Sequence, residues 1–194
     1  MKKILSIILL SVCTALFAWP AQSSPLLNAL TDGQHVLMIR HADAPGFSDP
    51  PGFRLGDCST QRNLGERGRQ QSKDLGVWLK KQGIASAVVF SSGWCRCEDT
   101  ASLMSLGPVT TIPELGSFFQ NMSDSGPQTN ALRTFLAQQL KAPLPRKPMI
   151  LVTHQVNISA FTGTSVGQGE LLLVKVGAKG EFVSARSIAT PNVD

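Results

Sequence analysis

Four side chains that could bind or attack a phosphoryl group stand at or shortly after the ends of apolar stretches. Arg40 and His41 follow one stretch. Arg96 follows a second within a short turn, and His154 follows a third. Arginine offers a planar fork of N–H donors that matches phosphate oxygens, and a neutral histidine can attack phosphorus or transfer protons. These residue types indicate a phosphate site, provided that the fold brings them together.

The apolar stretches that precede these residues have the length of β-strands and lack polar alternation. They lie at residues 35–40, 86–91 and 148–154. Uninterrupted apolar runs of this length are typical of strands buried on both faces, as in a parallel sheet. A further run at 169–177, a Gly-Ala-Lys-Gly turn and a run at 181–188 predict a β-hairpin.

Helical patterns alternate with these strands. They are predicted at residues 64–83, 97–106 and 129–140. The alternation predicts an α/β fold, a three-layer sandwich with a mostly parallel central sheet and helices on both faces. Residues 42–62 and 113–128 are rich in Gly, Pro, Ser and Asp and are predicted to be loops.

The polar strand ends should converge on one crevice, because ligand sites of open parallel sheets lie beyond the carboxyl ends of the strands. The residues concerned are Arg40, His41, Ser91, Ser92, Arg96, Thr153 and His154. Two imidazoles and two guanidiniums in one place need something anionic between them, so we expect a pocket for a phosphoryl group.

Three motifs in this order resemble the histidine phosphatase superfamily, also called phosphoglycerate-mutase-like. They are "RHADAPG" after the first strand, "SSGWCRCEDTA" after a later strand and "LVTHQVNIS" near the end. The segment "CSTQRNLGERGRQQSKDLG" is similar to the one that follows the first motif in those proteins. The resemblance extends from about residue 35 to residue 175. One departure is Ala42, which stands where the first motif commonly has Gly.

The resemblance implies roles for the four side chains. His41 would be the nucleophile that becomes phosphohistidine, and Arg40, Arg96 and His154 would bind the phosphoryl oxygens. His154 is therefore counted with the catalytic residues. The family needs no metal, and we expect neither a metal nor another cofactor here.

Three further residues are predicted to bind substrate, each with an alternative. Arg62 lines the pocket or is a solvated loop charge. Asn63 contacts the ligand or caps a helix. Ser92 contacts the ligand or only caps the helix that carries Arg96.

Glu114 is predicted to be the catalytic acid. The family's acid lies on a loop after the second strand–helix unit, and "TIPELGSFFQN" matches that loop. One branch of the superfamily instead places an Asp directly after the second histidine, where this chain has Gln155, which cannot donate a catalytic proton. Asp43, Asp124 and Glu170 are the other candidates in or near loops.

Residues 1–23 are predicted to be a secretory signal peptide, followed by one domain at 24–194. The segment has a basic start, an apolar run that is too short to span a bilayer, and small residues at its end. We expect a periplasmic or secreted protein without stable membrane insertion after cleavage; an uncleaved anchor is the alternative. Without Lys2 and Lys3 the net charge falls from +5 to +3, which does not indicate a nucleic-acid partner.

Three cysteines would remain after cleavage, namely Cys58, Cys95 and Cys97. Disulfides persist in an oxidising compartment, and an odd count leaves at least one thiol unpaired. A bridge from Cys58 to Cys95 or Cys97 would tie two candidate site loops together. A bridge between Cys95 and Cys97 is less favourable because one intervening residue leaves a strained ring.

The residues and the resemblance together predict an exported phosphomonoesterase that works through a phosphohistidine. Its substrate would be a phosphorylated small molecule or glycolipid, and the leaving group stays open. The first alternative is a catalytically inactive module that binds phosphate or a phosphoester on the same fold. The second is a metal site built on His41, Asp43 and His154.

Overall fold

The structure, a computed structural model, describes residues 23–144 and 146–190. The predicted signal peptide therefore lies, but for its last residue, outside the described residues. The strands are β1 His35–Arg40, β2 Val88–Ser91, β3 Val109–Thr111, β4 Met149–Thr153, β5 Leu171–Val176 and β6 Phe182–Ile188. The helices are α1 Pro25–Thr31, α2 Glu66–Lys81, α3 Cys95–Leu103, α4 Ser125–Gln139 and α5 Gln155–Thr162. Three short 3₁₀ helices cover Cys58–Thr60, Pro113–Leu115 and Met122–Asp124.

The six strands form one sheet in the order β3-β2-β4-β1-β5-β6. Strands β1 to β4 are parallel, and β5 pairs antiparallel with both β1 and β6. The predicted hairpin of β5 and β6 is confirmed. Because β4 lies between β1 and β2, the ends of all three strands come to the same edge, with Arg40 opposite Thr153 and Ser91 opposite Val152.

Two apolar cores cover the two faces of the sheet. Leu37 and Ile39 of β1 face a core that α1, α2 and α3 complete. Val36 and Met38 face the other core, which α4 and α5 complete. This alternation along a strand buried on both sides confirms the predicted three-layer α/β sandwich with a mostly parallel sheet.

Helix α2 packs closely against the chain that leaves β1. A Cβ at Gly68 would overlap the carbonyl of Asp43, so only glycine permits this approach. The backbone N–H of Gly65 also donates to the Asp43 carbonyl, at 3.2 Å. These contacts hold the segment directly after His41 in place.

Some elements differ from the prediction. Helix α4 begins at Ser125, so the end of the predicted loop 113–128 is helical. Strand β3 and helices α1 and α5 were not predicted. Strand β3 is a three-residue edge strand with two exposed residues, and such a segment has no apolar run to reveal it. Within the described ranges, no helix is both long and apolar enough to cross a membrane.

Candidate active site

The sheet edge sets His41 and His154 side by side. The N–H of His41 donates to the Thr153 carbonyl at 3.0 Å, so the β1–β4 ladder continues through the first histidine. His154 follows β4 and is the N-cap residue of α5. The two imidazole rings are 5.6 Å apart between centroids and inclined by 65°. Parallel pairing thus brings together two histidines that are far apart in the sequence.

The His41 ring is prepared to act as a nucleophile. Its Nδ1 lies 2.8 Å from the Ala42 carbonyl, which can only accept, so Nδ1 carries the proton and Nε2 keeps a lone pair. Burial, and to a lesser extent repulsion by the nearby arginines, lowers the pKa of His41 to about 3. The ring is therefore neutral at physiological pH, which a nucleophilic imidazole requires.

The His154 ring is held by neighbours on three sides. Ser92 Oγ lies 2.8 Å from its Nε2, and Cys97 Sγ lies 3.5 Å from the same atom. Trp94 packs edge-on against the ring at 5.2 Å between centroids. Burial, followed by repulsion from Arg96 and His41, lowers the pKa of His154 well below its ordinary value. Burial also raises the pKa of the Cys97 thiol to about 12, so this thiol stays protonated.

Three guanidiniums adjoin the histidines, and each has one buried N–H donor without a partner. Arg40 donates through Nη1 to the Val166 carbonyl at 2.9 Å, and Arg62 donates through Nη1 to the Ala44 carbonyl at 2.6 Å. In both, and in Arg96, Nε is buried and finds no acceptor among the described residues. Unsatisfied buried donors are costly, so three of them at one site fit an anion with several oxygens.

Asp49 is a site residue that the sequence reasoning missed. Its carboxylate accepts from Arg96 Nη1 at 2.7 Å and Nη2 at 3.1 Å, from Trp94 Nε1 at 3.1 Å and from the Arg62 N–H at 2.9 Å. Burial alone would raise the pKa of Asp49, but these hydrogen bonds and the Arg96 charge outweigh it and lower the pKa. The carboxylate is therefore ionised. In the sequence it had the appearance of a solvated charge in a Gly- and Pro-rich loop.

A disulfide joins the loop that carries Asp49 to the helix that carries Arg96. It links Cys58 with Cys95, whose Cα atoms are 5.7 Å apart, and leaves Cys97 as a free buried cysteine. The expectation of a bridge from Cys58 to one of the other two is confirmed. The Gln61 side chain adds a second tie, because its Oε1 accepts from the Cys95 N–H at 3.0 Å.

These groups open into one cavity of about 770 Å³. Five of the predicted site residues line it, namely Arg40, His41, Arg62, Arg96 and His154. The cavity also has an apolar wall. Its size is in the range of pockets that take a whole small molecule rather than a phosphate ion alone.

Comparison with known proteins identifies the fold. No family model matches the chain, and no curated protein matches it. Solved structures do: a SixA from Agrobacterium tumefaciens is 16% identical and covers 81% of this chain and 98% of its own, with a TM-score of 0.53. The protein histidine phosphatase SixA complexed with tungstate is 18% identical and covers 79% of this chain and 96% of its own, with a TM-score of 0.52. A phosphoserine phosphatase from Entamoeba histolytica, complexed with 3-phosphoglyceric acid, is 14% identical and covers 80% of this chain and 97% of its own, with a TM-score of 0.52.

The chain has the histidine phosphatase fold. The resemblance drawn from the motifs is confirmed at this level. In this fold the motif residues Arg40, His41, Arg96 and His154 occupy the carboxyl edge of the sheet and one cavity.

Three predicted site residues stand outside the cavity lining of this histidine phosphatase fold. Ser92 is fully buried and contacts His154, so the structure gives it a place behind that ring and not at a ligand. Asn63 donates to the Cys58 carbonyl at 2.6 Å, and the N-cap of α2 is Gly65 instead. Glu114 lies on the 3₁₀ helix Pro113–Leu115, and its buried Oε2 has no partner among the described residues.

The alternative of a metal site is not supported. Across residues 23–144 and 146–190, no group of three or more His, Cys, Asp or Glu side chains is placed to hold a metal ion. His41, Asp43 and His154 therefore do not form such a group. The positive charge in the cavity comes from guanidiniums, and these would oppose a cation.

Proposed function

We propose that this chain is an exported phosphomonoesterase that transfers a phosphoryl group to His41 and then to water. The observation that carries the proposal is the combination of a free Nε2 lone pair on His41 with three guanidiniums that line the same cavity, each with a buried Nε–H that has no acceptor among the described residues. The solved structures with this fold are in part phosphatases by name, which supports the same reaction class at the level of fold.

The reaction has two balanced steps. In the first, the Nε2 lone pair of His41 forms the N–P bond while the bond from phosphorus to the ester oxygen breaks, and the leaving oxygen takes a proton from an acid. In the second, water attacks phosphorus and gives a proton back to the conjugate base of that acid, the N–P bond breaks, and inorganic phosphate and neutral His41 are released. Arg40, Arg62 and Arg96 stabilise the negative charge of the transferring group throughout, which needs no metal ion.

Export is part of the proposal. The layout of residues 1–23 is that of a signal peptide. The disulfide between Cys58 and Cys95 supports it, because such bonds persist in the periplasm and outside the cell.

The decisive experiment is to trap the phosphoenzyme. The mature chain, residues 24–194, is purified with its disulfide intact, mixed with a ³²P-labelled aryl phosphate and quenched within milliseconds in alkali, which preserves phosphohistidine. We expect label on wild type and on a His35→Ala control, which changes a histidine outside the cavity, and none on His41→Ala. Vanadate should inhibit turnover, and a chelator should not.

Two results would overturn the proposal. Label or full turnover in His41→Ala would move the nucleophile elsewhere. Binding of inorganic phosphate without turnover of any ester in wild type would establish the inactive binding module instead.

A further inference from the structure

The cavity extends beyond the phosphate-binding groups into an apolar wall. This wall, as we define it, consists of Phe47, Phe53, Phe118, Phe119, Met122 and Val156. A phosphoryl group fills only a small part of about 770 Å³. The rest of the space must receive the leaving group of a monoester. The side chains of the wall therefore indicate what kind of leaving group binds there.

Part of the wall forms the mouth of the cavity. Phe47, Phe119 and Met122 line the cavity and yet are 83%, 43% and 59% exposed. The rings of Phe47 and Phe119 meet edge-on at 5.4 Å between centroids. They come from two different loops, one after β1 and one before α4, so their contact bridges the entrance. Large apolar side chains left open beside a catalytic cavity favour an apolar ligand surface.

The first of these loops is firmly anchored. Arg62 Nη1 donates to the Gly46 carbonyl at 3.2 Å, directly before Phe47. Asp49, two residues after Phe47, is held by Arg96 and Trp94. The position of Phe47 is therefore coupled to the same guanidiniums that face the phosphate, and the aromatic mouth is part of the site.

The charges in the lining argue against an anionic leaving group. The cations among the lining residues are Arg40, Arg62 and Arg96, and they stand with the histidines around the phosphoryl position. Among the described residues, the lining holds no lysine and no further arginine. Its two carboxylates are Asp49, which is paired with Arg96, and Asp124, which is exposed. A second phosphate or a carboxylate on the substrate would meet no further cation among the described lining residues, only neutral donors such as Gln120 and Asn121, and would be repelled by Asp124.

We propose that the apolar wall is a subsite for an uncharged leaving group with an apolar, preferentially aromatic, end. This inference rests on the proposed phosphatase function and narrows its substrate class. Phe47 and Phe119 hold the ring of the leaving group at the mouth, while the arginines hold its phosphate. Aromatic rings favour such edge and offset contacts beyond the area that they bury.

The test compares three esters with the same primary alkoxide leaving atom, so that bond cleavage is equally difficult in each. They are propyl phosphate, phenylpropyl phosphate and phosphooxypropanoate, which carries a terminal carboxylate. We expect kcat/KM for phenylpropyl phosphate to exceed that for propyl phosphate by about 10- to 100-fold, the effect of burying one aromatic ring. For phosphooxypropanoate, kcat/KM should be at least about tenfold lower than for propyl phosphate.

The variants identify the residues. In the double variant Phe47→Ala/Phe119→Ala, kcat/KM for phenylpropyl phosphate should come close to kcat/KM for propyl phosphate, so that their ratio is near one. Leu55→Ala is the matched control, because Leu55 is an exposed apolar residue on the same loop that does not line the cavity. It should keep the wild-type ratio. Three results would each refute the subsite. They are a wild-type kcat/KM ratio near one, a ratio that the double variant leaves unchanged, and efficient hydrolysis of phosphooxypropanoate.

A binding measurement separates this inference from the phosphatase function. Calorimetric Kd values of the three esters for His41→Ala should follow the same ranking without any turnover. If wild type hydrolyses none of the esters, the phosphatase proposal fails, and the ranking of Kd values still decides whether the subsite exists. Equal Kd values for the three esters would refute it.

Discussion

The carboxylate of Asp49 and the guanidinium of Arg96 form a bidentate ion pair in the wall of the cavity. Both side chains are nearly inaccessible to solvent, at 7% and 4% exposed. The pair engages Nη1 and Nη2 of Arg96, while Nε stays unpaired. Asp49 thus fixes the plane of the guanidinium at the edge of the cavity.

Asp49→Asn should therefore weaken both the fold and the reaction. It removes one charge of a buried pair, which costs about 3–5 kcal/mol of unfolding free energy. Because Arg96 is no longer held, the inhibition constant for inorganic phosphate should rise and kcat/KM should fall. Urea unfolding and phosphate inhibition measure the two effects. Asp57→Asn is the matched control, because it breaks an exposed pair with Arg54 on the same loop and should change neither. Equal behaviour of the two variants would show that the Asp49 pair has no such role.

The low pKa of His41 predicts a particular dependence on pH. An unfolded histidine binds its proton near pH 6.5, whereas burial and the arginines lower the pKa of His41 to about 3. Between these values the unfolded state binds more protons, so the unfolding free energy should fall as the pH is lowered through this window. His41→Ala should lessen that fall, measured by urea unfolding at pH 7 and pH 5. NMR titration should find a neutral His41 ring throughout pH 5–8, and protonation near 6.5 would contradict the buried environment.

The disulfide should stabilise the site as well as the fold. Cys58→Ser and Cys95→Ser remove the same bond between residues 37 positions apart, so each should lower the unfolding free energy by about 2–4 kcal/mol. The double variant should lose no more than either single one. Phosphate affinity should fall in parallel, since the loop with Asp49 is released from the start of α3. Losses that add up in the double variant would mean that the cysteines act separately. Mass mapping that finds Cys58 unbridged in protein from an oxidising compartment would refute the bridge.

Glu114 remains the predicted general acid. Among the described residues, two carboxylates line the cavity: Asp49, which is held ionised, and Asp124, which is exposed. Glu114 has a buried, unpartnered carboxylate oxygen next to Leu115, whose carbonyl accepts from Thr153 Oγ1 at the end of β4. It does not line the cavity in this structure, so a role as acid requires its side chain to turn towards the ester oxygen.

Leaving groups of different basicity test this assignment. Glu114→Gln should slow hydrolysis of an alkyl phosphate by about 10²- to 10⁴-fold and of a nitrophenyl phosphate much less, because the good leaving group departs without a proton. Asp124→Asn is the comparison and should not show this graded loss. A graded loss in Asp124→Asn alone would move the acid to Asp124, and equal losses on both esters would give Glu114 a structural role.

The sequence by itself determined the framework of the site. Continuous apolar runs predicted β1, β2 and β4 because burial on both faces leaves a local pattern that needs no knowledge of the partners. The convergence of the polar residues at their ends, Arg40 and His41 above all, was predicted from the rule that parallel strands place their carboxyl ends at one edge. These inferences depend on short-range patterns and on one general property of sheets.

Only the tertiary structure decided how the loops complete the site. It chose Cys95 over Cys97 as the partner of Cys58, paired Asp49 with Arg96, and placed Phe47 against Phe119. Loop residues have no periodic burial pattern, and their conformation depends on contacts with distant elements that local sequence does not encode. Local sequence in a Gly- and Pro-rich stretch therefore does not distinguish a buried, paired aspartate from a solvated one. The difference arises only when the chain has folded.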